Sequence, residues 1–182
     1  MKTDMIFRLS QNLNGKIKAG TLPAMPLDEN PFADWSCHLF VADRTQYILL
    51  TNTQSLYSSV MFGRGIVNDS QFIVRALDSI REQMEDDGQA FAYHKFIVPS
   101  TGNVHFAKAL NRSVTGSMSD LIRFATAWLI EDDLSPHDAG FKLNDILLSA
   151  IAPSKSEKYG RPREAFKKLA SEKPNESKIE LP

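Results

Sequence analysis

Leu121, Phe124, Ala125, Trp128 and Leu129 recur at steps of three and four residues, the spacing that gathers side chains onto one stripe of an α-helix. Ser117, with Asp120 three residues later, reads as a short-armed capping box, so the spacing predicts a helix that begins near Met118. Glu131-Asp132-Asp133 puts negative charge where a helix dipole is already negative, and the helix is expected to end there. The stretch leading into it is Asn111-Arg112-Ser113-Val114-Thr115-Gly116-Ser117-Met118-Ser119-Asp120, which joins a guanidinium, hydroxyls and a turn-permitting glycine at the handover from a strand.

Two readings of that stretch follow from its chemistry. The first N–H groups of a helix are unpaired and carry partial positive charge, and Arg112 beside them adds a forked donor suited to a phosphate or carboxylate. On this reading Asn111, Arg112, Ser113, Thr115, Gly116, Ser117 and Asp120 form an anion-binding site, with Gly116 allowing close backbone approach. On the other, the same residues only satisfy the turn and the cap, with Arg112 paired internally.

The pattern Asn111-Arg112-Ser113-Val114-x-Gly116-Ser117-Met118-x-Asp120 resembles the signature of an uncharacterised bacterial domain family, sometimes found beside or fused to proteins labelled plasmid open-reading-frame-three-like. The resemblance extends from Met5 to Leu129 through Ile6-Phe7-Arg8-Leu9-Ser10, Trp35, Ile48-Leu49-Leu50-Thr51-Asn52 and Leu56-Tyr57-Ser58. Ser119 stands where that pattern usually has Asn, which weakens any role for a side-chain amide there. The resemblance implies a fold unit and a candidate site, and it implies no reaction.

Taken in order, Met5 to Leu9 reads as a strand, and Ser10 caps a brief helix that Gly20 ends. Pro23, Pro26 and Pro31 make the next stretch, to Asp34, a loop. It is either a packed cover pinned by Leu22, Met25, Leu27 and Phe32 or a lid. Trp35 to Ala42, Gln46 to Asn52 and Leu56 to Phe62 suggest a three-stranded meander. Asn68 with Gln71 caps a helix striped by Phe72, Ala76, Leu77, Ile80 and Met84. Phe91 to Val98 and Val104 to Leu110 are expected to form a second hairpin around the turn formers Pro99 to Asn103. Ser135-Pro136 opens a last helix carrying Ala139, Leu143, Ile146, Leu147 and Ala150, which Pro153 stops. The expected fold is α+β: an antiparallel sheet of about five to six strands, meander plus hairpin, with three to four helices packed against it.

Residues 1–153 are expected to form one globular domain, since 42% hydrophobic residues with eleven Phe supply a real core. From Ser154 onward, eight Lys or Arg stand against five Glu with few large apolar residues, which predicts a basic, poorly ordered tail over 154–182. Phe166 and Leu169 could seed a short partner-binding helix within it.

The formal net charge of −1 speaks against a protein that coats nucleic acid or is steered to membranes. No apolar run approaches the roughly 20 residues of a membrane span, and no signal peptide is evident. The single Cys37 excludes an internal disulfide and fits the cytoplasm. His38, His94, His105 and His137 lie far apart without metal-ligand spacing, so neither metal nor cofactor is expected, although His94 and His105 could face each other across the second hairpin. Cys37 and His38, adjacent on a strand, point to opposite faces and cannot act on one another.

These residues suggest a cytoplasmic binding or interaction domain that receives an anionic ligand or nucleic-acid phosphate at the Asn111–Asp120 turn. Two alternatives remain. One is a hydrolytic or phosphodiester-acting enzyme with Arg112 and a nearby His. The other is a structural protein that binds a protein partner through a sheet edge or its tail.

Overall fold

The computed structural model of the chain describes residues 4–171. Five strands, β1 (Met5–Leu9), β2 (Asp34–Ala42), β3 (Thr45–Asn52), β4 (Ser58–Phe62) and β5 (Val104–Ala107), form one sheet in the order β4-β3-β2-β1-β5. β2, β3 and β4 are an antiparallel meander, whereas β1 runs parallel to both of its neighbours, β2 and β5. Six α-helices occur among the described residues: α1 (Gln11–Ile17), α2 (Asp69–Asp86), α3 (Ala90–Ala92), α4 (Arg112–Glu131), α5 (Pro136–Leu143) and α6 (Pro162–Leu169). The architecture is α+β, but the sheet is mixed rather than antiparallel, and six helices replace the three to four expected.

The largest departure is the second hairpin, which does not form. α3 continues through a π turn (Tyr93–Ile97) and a 3-10 turn (Val98–Ser100), so only Val104–Ala107 remains a strand. Aromatic and β-branched content suggested a strand there, yet the buried residues are Tyr93, Phe96 and Ile97, at helical spacing, while Phe91 and Val98 face solvent. β5 then pairs with β1 in parallel across about 100 residues of chain, with Phe7 beside Phe106. Local periodicity carries no information about that partner.

The alternation of β1, β2 and β3 divides the core in two. One face presents Met5, Phe7, Leu9, Trp35, Cys37, Ile48 and Leu50 to α1, α2 and α6. The other presents Phe40, Ala42, Leu49 and Val60 to α4 and α5. α6 lies within 154–182, the stretch read from sequence as tail. Its Phe166 is fully buried and stacks on Tyr57 with ring centroids 4.3 Å apart. Phe166 and Leu169 thus dock on the chain's own core, and the remainder of that stretch, residues 172–182, lies outside the described residues.

A buried polar row crosses the second face in register, from Arg8 through Ser36 and Thr51 to Ser58. Arg8 dominates it. Its guanidinium donates to both carboxylate oxygens of Asp34 at 2.9 and 2.8 Å, and to the carbonyls of Met25, Pro26 and Lys108. Asp34 also accepts from Thr53 Oγ1 and from the Asp28 N–H. The proline-rich loop is therefore tied down through its carbonyls, and Leu27 is left exposed.

β4 is an edge strand, and α5 closes it. Asn144, just past α5, receives the Ser58 N–H on its Oδ1 at 2.7 Å and donates its Nδ2 to the Ser58 carbonyl at 3.0 Å, so one amide stands in for a neighbouring strand. Gly140 makes the approach possible, since a Cβ there would lie 2.9 Å from the Val60 nitrogen. Asn144→Leu should leave a buried donor and acceptor unpaired and cost about 2–4 kcal/mol. A shifted denaturant midpoint with an unchanged slope would show this, and a change below about 0.5 kcal/mol would contradict it.

Candidate functional site

α4 starts six residues earlier than the capping box at Ser117 suggests. Asn111 is the cap: its backbone is extended and its Oδ1 accepts the Val114 N–H at 3.0 Å. With the start at Arg112, Val114 and Met118 prolong the buried stripe of Leu121, Ala125 and Leu129 by two turns, and that extra burial outweighs the weaker cap signal. The helix ends at Glu131 with Asp132 as its C-cap, where the acidic run placed it.

This start decides where the candidate residues stand. Asn111, Arg112 and Ser113 are together in the exposed first turn. Thr115 Oγ1 turns back to the carbonyls of Asn111 and Arg112, as Ser119 does to that of Thr115. Gly116 is inside the helix and an added Cβ would meet nothing within 4 Å, so no close approach requires it. Ser117 is half-buried, and Asp120 pairs with Arg123. Arg112 and Ser117 are separated by five steps of about 100°, so they point some 140° apart and do not converge.

What the fold does assemble is an open helix end. No acidic residue occupies the first turn of α4, whereas α2, α5 and α6 carry Asp69, Asp138 and Glu164 there. The Arg112 guanidinium has neither a hydrogen bond nor an ion pair among the described residues, and exposed Lys108 lies four residues upstream. Lys108 is fixed by its backbone, its N–H donating to the Pro23 carbonyl and its own carbonyl accepting from Arg8. α1 leaves β1 and α4 leaves β5 at the same end of the sheet, for opposite faces. The carboxyl ends of parallel strands, where the connections diverge, are the usual place for ligands in open α/β sheets.

The histidines are elsewhere. His105, on β5, bonds Asp4 at 2.8 Å, and His137 pairs with Asp86 at 2.6 Å, linking α5 to the end of α2. His94 packs edge-on against Tyr93 in the π turn, so the expected cross-strand pair with His105 does not exist. His38 is half-buried on the α4 side of β2, and burial lowers its pKa. No histidine hydrogen-bonds Arg112 or Ser113 among the described residues, and no group of three potential metal ligands is found among them. Cys37 is buried, and burial raises its thiol well above the usual range, away from nucleophilic chemistry. Tyr57 is buried too, with its hydroxyl on Gln83 and Asp87 and its pKa pushed up mainly by desolvation.

Arg163 and the groove beside α6 escaped sequence reading. Arg163 Nε contacts both oxygens of Asp87, its Nη1 pairs with Asp145, and its guanidinium lies over the Phe141 ring. The available signal was the amphipathic spacing of Pro162, Phe166 and Leu169, outweighed by the surrounding charge. No helix among the described residues is long and apolar enough to cross a membrane.

No curated protein and no solved structure matches the chain. A family model does match, over residues 6–165, which spans both the Arg8 network and α4. The chain therefore belongs to the family described as Domain of unknown function (DUF6933).

Proposed function

We propose that this domain binds an anion, a phosphate or carboxylate borne by a small ligand or nucleic acid, at the first turn of α4. The observation that carries the reading is an exposed helix start that combines Arg112, which has no partner among the described residues, with a first turn lacking any acidic residue. The N–H groups of Arg112 and Ser113 face outward, the Ser113 hydroxyl adds a donor, and the guanidinium supplies charge and a forked contact. Asn111 sets the geometry by closing the third N–H, and Lys108 strengthens the local field.

Titration of the protein with inorganic phosphate and pyrophosphate, followed by amide chemical shifts, tests this. Residues 111–115 should shift saturably, and Arg112→Ala should weaken binding about tenfold, the worth of one charge-assisted bond. Because Arg112 is exposed, its loss should change stability by less than about 0.5 kcal/mol. Absence of saturable shifts, or equal binding by the variant, rejects the proposal.

A further inference from the structure

While Phe166 of α6 faces the core, another side of the helix, with Ala165 and the flank of Leu169, walls a groove of about 240 Å³. The opposite wall is residues 150–153, largely aliphatic, and Gln54, Ser55 and Gly160 complete the lining. Arg161, Glu164 and Lys168 follow one another at three and four residues and all line the groove. Glu164 and Lys168, four apart within α6, have the spacing at which opposite charges readily pair, and Arg161 caps the same helix. Yet no ion pair or hydrogen bond joins the three side chains to one another or to other described residues. Along the groove an exposed carboxylate thus stands between two exposed cations, none with a partner among the described residues, opposite a largely apolar wall.

That combination fits a molecule with three parts: an aliphatic body, an ammonium and a carboxylate. The volume is below the roughly 300–1,000 Å³ of sites that take drug-sized ligands, so the molecule is small. Arg161 is the N-cap of α6 and Glu164 the third residue of its first turn, positions whose side chains can reach one another across the helix start, so two substituents of a single carbon can reach both. We infer that the α6 groove binds a free aliphatic α-amino acid. Its carboxylate sits on the Arg161 fork, its ammonium on Glu164, and its side chain against Ile151 and Pro153. Gly160 lets the two walls meet at the floor of the groove, since a Cβ there would collide with the Ile151 carbonyl. This site is separate from the helix start of α4 and does not depend on it.

The test uses the full chain and three probes: L-leucine, 4-methylpentanoate, which lacks the ammonium, and 3-methylbutylamine, which lacks the carboxylate. Leucine should shift the amides of residues 150–153 and 161–168 saturably, and each analogue should bind at least about tenfold more weakly. Glu164→Gln should weaken leucine about tenfold while leaving 4-methylpentanoate unchanged, a split that a purely structural role for Glu164 does not produce. Arg161→Gln should weaken leucine similarly, and 3-methylbutylamine should be indifferent to it. Equal affinity for leucine and 4-methylpentanoate, or no saturable shift up to about 50 mM leucine, overturns the inference.

Discussion

Arg8→Met is expected to destabilise the fold by about 3–5 kcal/mol, the usual cost of leaving one member of a buried ion pair alone. Both partners are buried, Arg8 at 1% and Asp34 at 0% exposure, so water cannot replace the lost guanidinium. The five N–H donors of Arg8 are all used: two bonds go to Asp34 and one each to the carbonyls of Met25, Pro26 and Lys108. Methionine would fill much of the volume but none of those bonds. The loss should therefore have a local signature as well, with faster hydrogen exchange at Asp28 and Lys108, whose backbone is held directly or indirectly by the pair. Adding Asp34→Asn should recover part of the loss, because it removes the stranded charge, and a double-mutant cycle should show strong coupling. Single-variant denaturation within about 1 kcal/mol of the parent would mean that the pair is not what holds the loop and the sheet together.

Gly160→Ala should be the most damaging of the small substitutions. The added Cβ would collide with the Ile151 carbonyl oxygen and stand 2.9 Å from its carbon, and both are backbone atoms with no rotamer to yield. Gly160 is also locked to Leu148 by two hydrogen bonds of 2.9 Å, so it cannot retreat without breaking them. α6 begins two residues later, and its Phe166 contacts the rings of Tyr57, Phe32 and Trp35, so the displacement reaches the first core. Overpacking of this kind costs about 3 kcal/mol at the upper end of its usual range. In a chain of this size that corresponds to a fall in Tm of roughly 6–12 °C, and a fall below about 2 °C would contradict the contact.

Sequence reading succeeded where the determining interaction is local. The Asn68 cap of α2, the Ser135-Pro136 start of α5 and the acidic end of α4 are all settled within about one turn of chain, and the structure has each of them. It also shows the meander, whose β2–β3 turn needs only Asp43 and Arg44, both with positive φ, as a tight hairpin of matching twist requires. Reading failed at the start of α4, where Asn111 and Ser117 were both competent caps. Only burial of Val114 and Met118 against Phe40 and its neighbours favours the earlier one. That shift matters for function, since it moves Ser117 and Asp120 away from Arg112 and leaves the first turn alone as the candidate anion site.

The sequence by itself determined which segments carry apolar stripes and where several helices are capped. The tertiary structure alone decided that β1 is central and parallel to both neighbours, that residues 93–97 are helical, and that Phe166 belongs to the core. The division has one physical origin. Caps and stripes depend on atoms a few residues apart, whereas strand partners and the pairing of Arg8 with Asp34 depend on free energy gained only when distant segments exclude water together.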